Sequence, residues 1–182
     1  PFVCKLVAKE LKRLGWKSKP NESHFDRLLR PTILGMAAAS DEKSVVDFAL
    51  SKFAEMQSFS NVLQVTFSQL EQYDHPMKGN WNRDFFHNQK PIVLELGCGK
   101  GEYTTGLAEA KPENNYIGID IKGARMWKGA KYATDNQLLN VGFLRTHIEM
   151  VDRFFAPGEV SEIWLTFPDP QIKYKRTKHR MT

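Results

Sequence analysis

The chain has 182 residues and a formal net charge of +5, with 41% hydrophobic and 26% charged residues. This is the composition of a soluble globular protein with room for one domain and an appendage, and no apolar run approaches the roughly 18 residues that a membrane helix needs. The excess charge sits at the ends: the last twelve residues carry five basic side chains and no acid, whereas residues 51–170 are net acidic.

The N-terminal segment PFVCKLVAKELKRLGW lacks the continuous apolar core and small-residue cleavage site of a signal peptide. It starts at Pro1 rather than Met, as expected of a processed or trimmed chain or a fragment. Cys4 and Cys98 make no metal-binding spacing, so no metal is expected, and a reducing cytoplasm is the expected setting. Residues 1–56 read as helices. Val3, Leu6, Val7, Leu11 and Leu14 form one stripe, and Gly15 stands where a C-terminal cap belongs. Pro20-Asn21-Glu22-Ser23 is a turn and helix-start signal. An apolar face of Leu28, Leu29, Ile33 and Leu34 follows, with a kink or break expected at Pro31. Asp41-Glu42 opens a third amphipathic stretch that places Val45, Val46, Ala49, Leu50 and Phe53 on one side. No catalytic spacing occurs in this part.

The stretch LGWKSKPNESHFDRLLRPTILGMAAASDEKSVVDFALSKF resembles part of the helical C-terminal domain of M1-family zinc aminopeptidases. That resemblance covers about residues 1–53 and implies a solenoid-like packing module rather than a peptidase site, because the family's zinc and exopeptidase motifs are absent. Residues 54–90 form an irregular lead-in with weak periodicity and the aromatics Phe67, Tyr73, Trp81, Phe85 and Phe86. Docking of these aromatics onto the following domain is the favoured reading; the alternative places Lys78 and Trp81 in a ligand cleft.

From Pro91 the pattern becomes a regular strand–helix alternation: strand 92–96, helix 102–110, strand 115–120, helix 123–137, strand 141–146, helix 147–155 and strand 162–167. Such alternation means an α/β fold, a parallel sheet wrapped by helices, over residues 91–182. The sheet so read has four strands. Its fourth strand would be an exposed apolar edge unless further strands cover it.

The first strand runs into LELGCGKG. Gly97, Gly99 and Gly101 let a ligand approach the backbone, because no Cβ stands in the way. Their GxGxG spacing differs from the GxGxxG that seats a pyrophosphate on a helix N-terminus. Glu95, two residues before the first glycine, repels pyrophosphate and suits an amino group, while Asp120 at the end of the second strand suits a ribose diol. One acid for each group fits S-adenosylmethionine better than NAD. The third strand should bring an adenine contact from Thr146-His147-Ile148, although His147 is equally readable as a helix-start residue.

The fourth strand ends in Phe167-Pro168-Asp169-Pro170. Ligands of open α/β sheets bind outside the carboxyl ends of the strands, so Asp169 projects into that crevice, held in one geometry by its prolines. A turn that merely stops a strand would explain the prolines and the aspartate separately. It would not explain the adjoining basic run Lys173, Lys175, Arg176, Lys178, Arg180, which is what phosphate backbones attract.

ELGCGKGEYT, YIGIDIKGARMWKGA, NVGFLRTHIEM and EIWLTFPDPQIKYKRTKHR closely resemble the bacterial tRNA (guanine-N7-)-methyltransferase family, over about residues 52–182. The resemblance implies a Rossmann-like class I methyltransferase domain that uses S-adenosylmethionine to methylate a guanine of the tRNA variable loop at N7. It places cofactor contacts on Glu95, the three glycines, Asp120, His147 and Asp169, with Asp169 also catalytic. Lys173 becomes a substrate contact, and Arg176, Lys178 and Arg180 hold tRNA phosphates. The sequence departs from the family twice. His147 replaces an acid common after the third strand, and the family continues past the basic run, so the sheet is expected to be incomplete. Two other readings compete: a non-catalytic helical interaction module fused to an inactive nucleotide-binding half, and an NAD-binding oxidoreductase, which the glycine spacing and FPDP disfavour. The oligomeric state is not readable.

Overall fold

A computed structural model describes residues 2–65, 74–166 and Pro168. The chain divides into two compact units, Pro1–Ala54 and Glu55–Thr182, with the division inside a helix.

The first unit is helical: α1 (Phe2–Leu14), α2 (His24–Ala39) and the greater part of α3 (Lys43–Gln57). Gly15 ends α1 at φ +65°, its N–H donating to the Leu11 carbonyl at 3.0 Å, and the Ser23 hydroxyl accepts from the Asp26 N–H at 3.0 Å to start α2. Val7 and Leu14 meet Ile33, Ala37 and Val45 in a small core. Pro31 does not break α2. Proline forfeits one intrahelical bond, and the flanking Arg30 and Ile33 are anchored in the interior. The Arg30 guanidinium pairs with the Glu22 carboxylate, both nearly inaccessible, and also donates to the Leu14 carbonyl at 3.3 Å, which ties the end of α1 to the middle of α2. The apolar faces are narrower than the periodicity implies, because Leu28, Leu50 and Phe53 remain exposed.

The second unit is built on a parallel sheet of β1 (Val62–Gln64), β2 (Ile92–Leu96), β3 (Asn115–Asp120), β4 (Val141–Arg145) and β5 (Val160–Trp164), in the order β1-β4-β3-β2-β5. Every pairing is parallel. Helices α4 (Glu102–Ala110) and α5 (Gly123–Asp135) join β2 to β3 and β3 to β4. This is a Rossmann-like arrangement with one strand more than the four read from the sequence. The extra one, β1, lies in the segment read as irregular: three residues are too few to show an alternation, and their partner, β4, is remote in sequence. Residues expected as a helix at 147–155 form a tighter 3-10 turn at Ile148–Arg153, and β5 starts two residues before its expected position.

Parallel strands need cover on both faces, and two different coverings supply it. Val93, Tyr116, Val141 and Phe143 point to α4 and α5, packing on Ala108, Met126, Ala130 and Ala133. Ile92, Leu94, Ile117, Ile119 and Leu144 point the other way, onto Trp81, Phe86, Phe154 and Phe155. Trp81 is fully buried, stacks on Phe155 with ring centroids 5.2 Å apart and donates its indole N–H to the Phe154 carbonyl at 2.8 Å. That settles its role as docking, not cleft lining; Lys78 pairs with Asp74 at 2.9 Å. Two polar clamps fix the same segment. Glu159 accepts from the N–H groups of Gly79, Trp81 and Ala156, and the fully buried Asn115 amide exchanges hydrogen bonds with Asn82 and Asn88.

Candidate functional site

The sheet order fixes where a ligand can bind. From β2 the chain moves outward to β3 and β4, then returns to place β5 on the opposite side of β2. The strand order therefore reverses at β2, and the crevice lies outside the carboxyl ends of β2 and β5.

The loop leaving β2 fills one side of that crevice. Gly97, Gly99 and Gly101 all have positive φ (76°, 55° and 71°), a conformation strained for other residues. Gly101 also lies against the Phe143 ring, where a Cβ would come within 2.5 Å of Cε1. The same ring is approached by Gly118 and Gly129, so three glycines let the start of α4, the middle of β3 and α5 close around one phenylalanine. A Cβ on Gly99, by contrast, would meet nothing within 4 Å; the space before that residue is open.

The loop spends its own donors. The N–H groups of Gly97 and Cys98 bond the Ile119 carbonyl at 2.8 and 3.0 Å, Gly101 N–H bonds the Cys98 carbonyl at 2.8 Å, and Gly99 N–H bonds Asp120 Oδ2 at 2.9 Å. A pyrophosphate would need those N–H groups, and they are taken.

Asp120 holds the loop with one oxygen and the start of α5 with the other, accepting from Lys122 N–H at 2.8 Å through Oδ1. Glu95 is buried. It accepts from the Thr104 hydroxyl at 2.5 Å on Oε2 and from the Thr166 hydroxyl at 3.0 Å on Oε1, so it links β2 to α4 and to the residues following β5. Each carboxylate oxygen retains acceptor capacity after one hydrogen bond, so both groups can still take a ligand's donors. Asp120 thus bonds the loop directly, and Glu95 bonds the first turn of the helix that follows it. Burial, reinforced by the negative charges of Glu95 and Asp120, pushes the Cys98 thiol up and keeps it protonated. The open space at Gly99, beside the Asp120 carboxylate, leaves room for a ligand to approach the loop.

His147 lies just past β4, exposed, its Nδ1 4.0 Å from Glu149 Oε2. Asp169, Lys173, Arg176, Lys178 and Arg180 lie outside the described residues. The structure thus brings together Glu95, the three glycines and Asp120. Thr104, Thr166 and Phe143, which support them, carry no sequence signal, since each acts through a contact made only by folding. A groove between α4 and α5 lies on the flank of the sheet, and most of its charges are paired: Lys128 with Glu102, Lys131 with Asp135, and the Tyr132 hydroxyl with Glu109. Among the described residues there is no cluster of three or more side chains suited to a metal ion, and no helix long and apolar enough to cross a membrane.

Comparison with known proteins agrees with this geometry. A family model described as "Putative methyltransferase" matches residues 89–182, the stretch from just before β2 onward. The chain belongs to this methyltransferase family. Three curated relatives are each named tRNA (guanine-N(7)-)-methyltransferase. That of Christiangramia forsetii is 59% identical over 133 residues, which is 73% of this chain and 59% of the relative. That of Porphyromonas gingivalis is 61% identical over 120 residues (65% and 49%), and that of Bacteroides fragilis 57% over 129 residues (71% and 51%). The chain therefore spans about half to three-fifths of the length of these relatives.

Proposed function

We propose that the second unit is the S-adenosylmethionine-binding part of an enzyme that methylates guanine N7 in tRNA, working in the cytoplasm. The observation that carries this reading is the pairing of a donor-depleted glycine loop with two acidic side chains at the switch point of the sheet. Asp120 would accept from the ribose hydroxyls, and Glu95, fixed by Thr104 and Thr166, would face the amino-acid end of the cofactor. Gly97, Gly99 and Gly101 would let it lie against the backbone, and His147 would stand near its base. The names of the relatives support tRNA as the substrate.

When bound, S-adenosylmethionine supplies a methyl carbon on a positively charged sulfur, which leaves as a neutral thioether once guanine N7 has taken the methyl group. N7 carries a lone pair and no proton, so the protein needs no strong general base. Its task is to align the reacting atoms, which proximity and orientation supply. Asp169 would accept a hydrogen bond from the guanine edge and offset the positive charge that develops on the base. Lys173, Arg176, Lys178 and Arg180 would hold phosphates, contributing affinity with little sequence information.

The test is incubation of the chain with tRNA and methyl-labelled cofactor, alongside calorimetric titration of the cofactor. Label at guanine N7 is the expected result, with cofactor affinity weakened in Asp120→Ala and tRNA binding that falls steeply with salt. Heat with NAD but none with S-adenosylmethionine would overturn the reading. Cofactor binding without turnover would restrict it to cofactor capture by this chain.

A further inference from the structure

The carboxyl edge of the sheet carries a cluster of cations that the cofactor site does not use. Asp120 and Arg145 are register partners at the ends of β3 and β4, on the face that packs against α4 and α5. They do not pair. Asp120 gives its oxygens to the Gly99 and Lys122 N–H groups, and Arg145 Nε donates to the Ile121 carbonyl at 3.2 Å. The Arg145 stem lies on Gly123, where a Cβ would come within 3.0 Å of Cδ. Glycine there lets the arginine lie flat across the β3–α5 junction, fixed at both its stem and its Nε.

Lys122 occupies the same junction, and Arg125 follows one turn later, its N–H bonded to the Lys122 carbonyl at 2.9 Å. Both side chains are exposed. Among the described residues, Lys122, Arg125 and Arg145 make no ion pair, whereas Lys128 and Lys131 on the same helix are neutralised by Glu102 and Asp135. The helix thus separates its cations: paired ones toward its middle and end, unpaired ones beside the crevice. A guanidinium held with its remaining N–H groups outward is a preorganised fork for a phosphate, because little side-chain freedom is lost on binding.

We infer that Arg145, Lys122 and Arg125 form a phosphate-binding patch that grips the RNA substrate on the β3–β4 side of the crevice, in addition to the basic run at 171–182. This rests on the tRNA reading above. The patch would orient the RNA, since two separated phosphate contacts fix a direction that one cannot.

The experiment is tRNA binding by fluorescence anisotropy across a salt series, on the full chain, with cofactor titrated separately into every variant. Arg125→Gln, whose side chain makes no contact the fold depends on, should lower the slope of log affinity against log salt by roughly one. The triple variant Lys122→Gln/Arg125→Gln/Arg145→Gln should lower it by about 2–3 and weaken binding at least about tenfold, with cofactor affinity retained. An unchanged slope in variants that still bind cofactor would overturn the patch and leave the methyltransferase reading standing. Failure of the unsubstituted chain to bind tRNA would overturn the substrate assignment, and the patch with it.

Discussion

Gly129 and Gly106 face the same substitution with opposite expected outcomes. Gly129 lies in α5, and a Cβ there would come within 2.6 Å of the Lys100 carbonyl oxygen, 2.8 Å of Phe143 Cζ and 3.1 Å of Gly101 Cα. Neither main neighbour can yield: one is backbone of the glycine loop, and the other is a fully buried ring. Overpacking of this kind costs about 1–3 kcal/mol, and the helix-propensity gain of Gly→Ala returns up to about 1 kcal/mol. A 2.6 Å approach to backbone puts the cost in the upper part of that range, about 2–3 kcal/mol, so Gly129→Ala should destabilise the second unit by about 1–2 kcal/mol after the propensity gain. It should also weaken cofactor binding, because relief of the contact displaces Lys100 and Gly101. Gly106 lies in α4, where a Cβ would meet nothing within 4 Å, so Gly106→Ala keeps the propensity gain and should stabilise by about 0.5–1 kcal/mol. Urea unfolding followed by tryptophan fluorescence measures both, and three of the four tryptophans (Trp81, Trp127 and Trp164) report on this unit. A Gly129→Ala chain as stable as the parent would refute the close packing of α5 on the glycine loop.

Two further outcomes follow from groups off the reaction path. Cys98 keeps its proton in the folded chain well above the range in which an unfolded thiol ionises, so its contribution to stability is complete below about pH 8.5 and is lost as pH rises further. Relative to Cys98→Ala, the parent should lose about 1.4 kcal/mol per pH unit above that point, and parallel pH profiles would contradict the burial argument. Glu159→Ala removes the acceptor of three backbone N–H groups and should cost on the order of 2–3 kcal/mol, with the Trp81 emission shifting red before the far-ultraviolet signal changes. An unaltered urea midpoint would show that the Glu159 clamp does not hold the segment after residue 74.

The sequence was most legible where structure is decided locally. β2, β3 and α4 fall where glycines, an acidic strand end and short apolar runs place them, and the same residues mark the candidate site. Legibility fails where a partner is remote. β1 is three residues long and becomes a strand only through Phe143–Arg145, and the Glu95 carboxylate is oriented by hydroxyls nine and 71 positions away. In the first unit, periodicity overstated burial: three helices cannot cover every apolar residue, and Leu28, Leu50 and Phe53 stay in contact with water. Pro31 reads as a break by local rules, and the packing around Arg30 overrides them.

The pairing of β1 with β4 also has a consequence in time. Val62 joins Phe143 across about eighty residues, a wider gap than separates any other pair of neighbouring strands in the sheet. At a synthesis rate of about 5–20 residues per second, β1 waits roughly 4–16 s for its partner to be made. The strand made first is thus the one that stays unpaired longest, and the β1 edge of the sheet closes only after β4 has been translated.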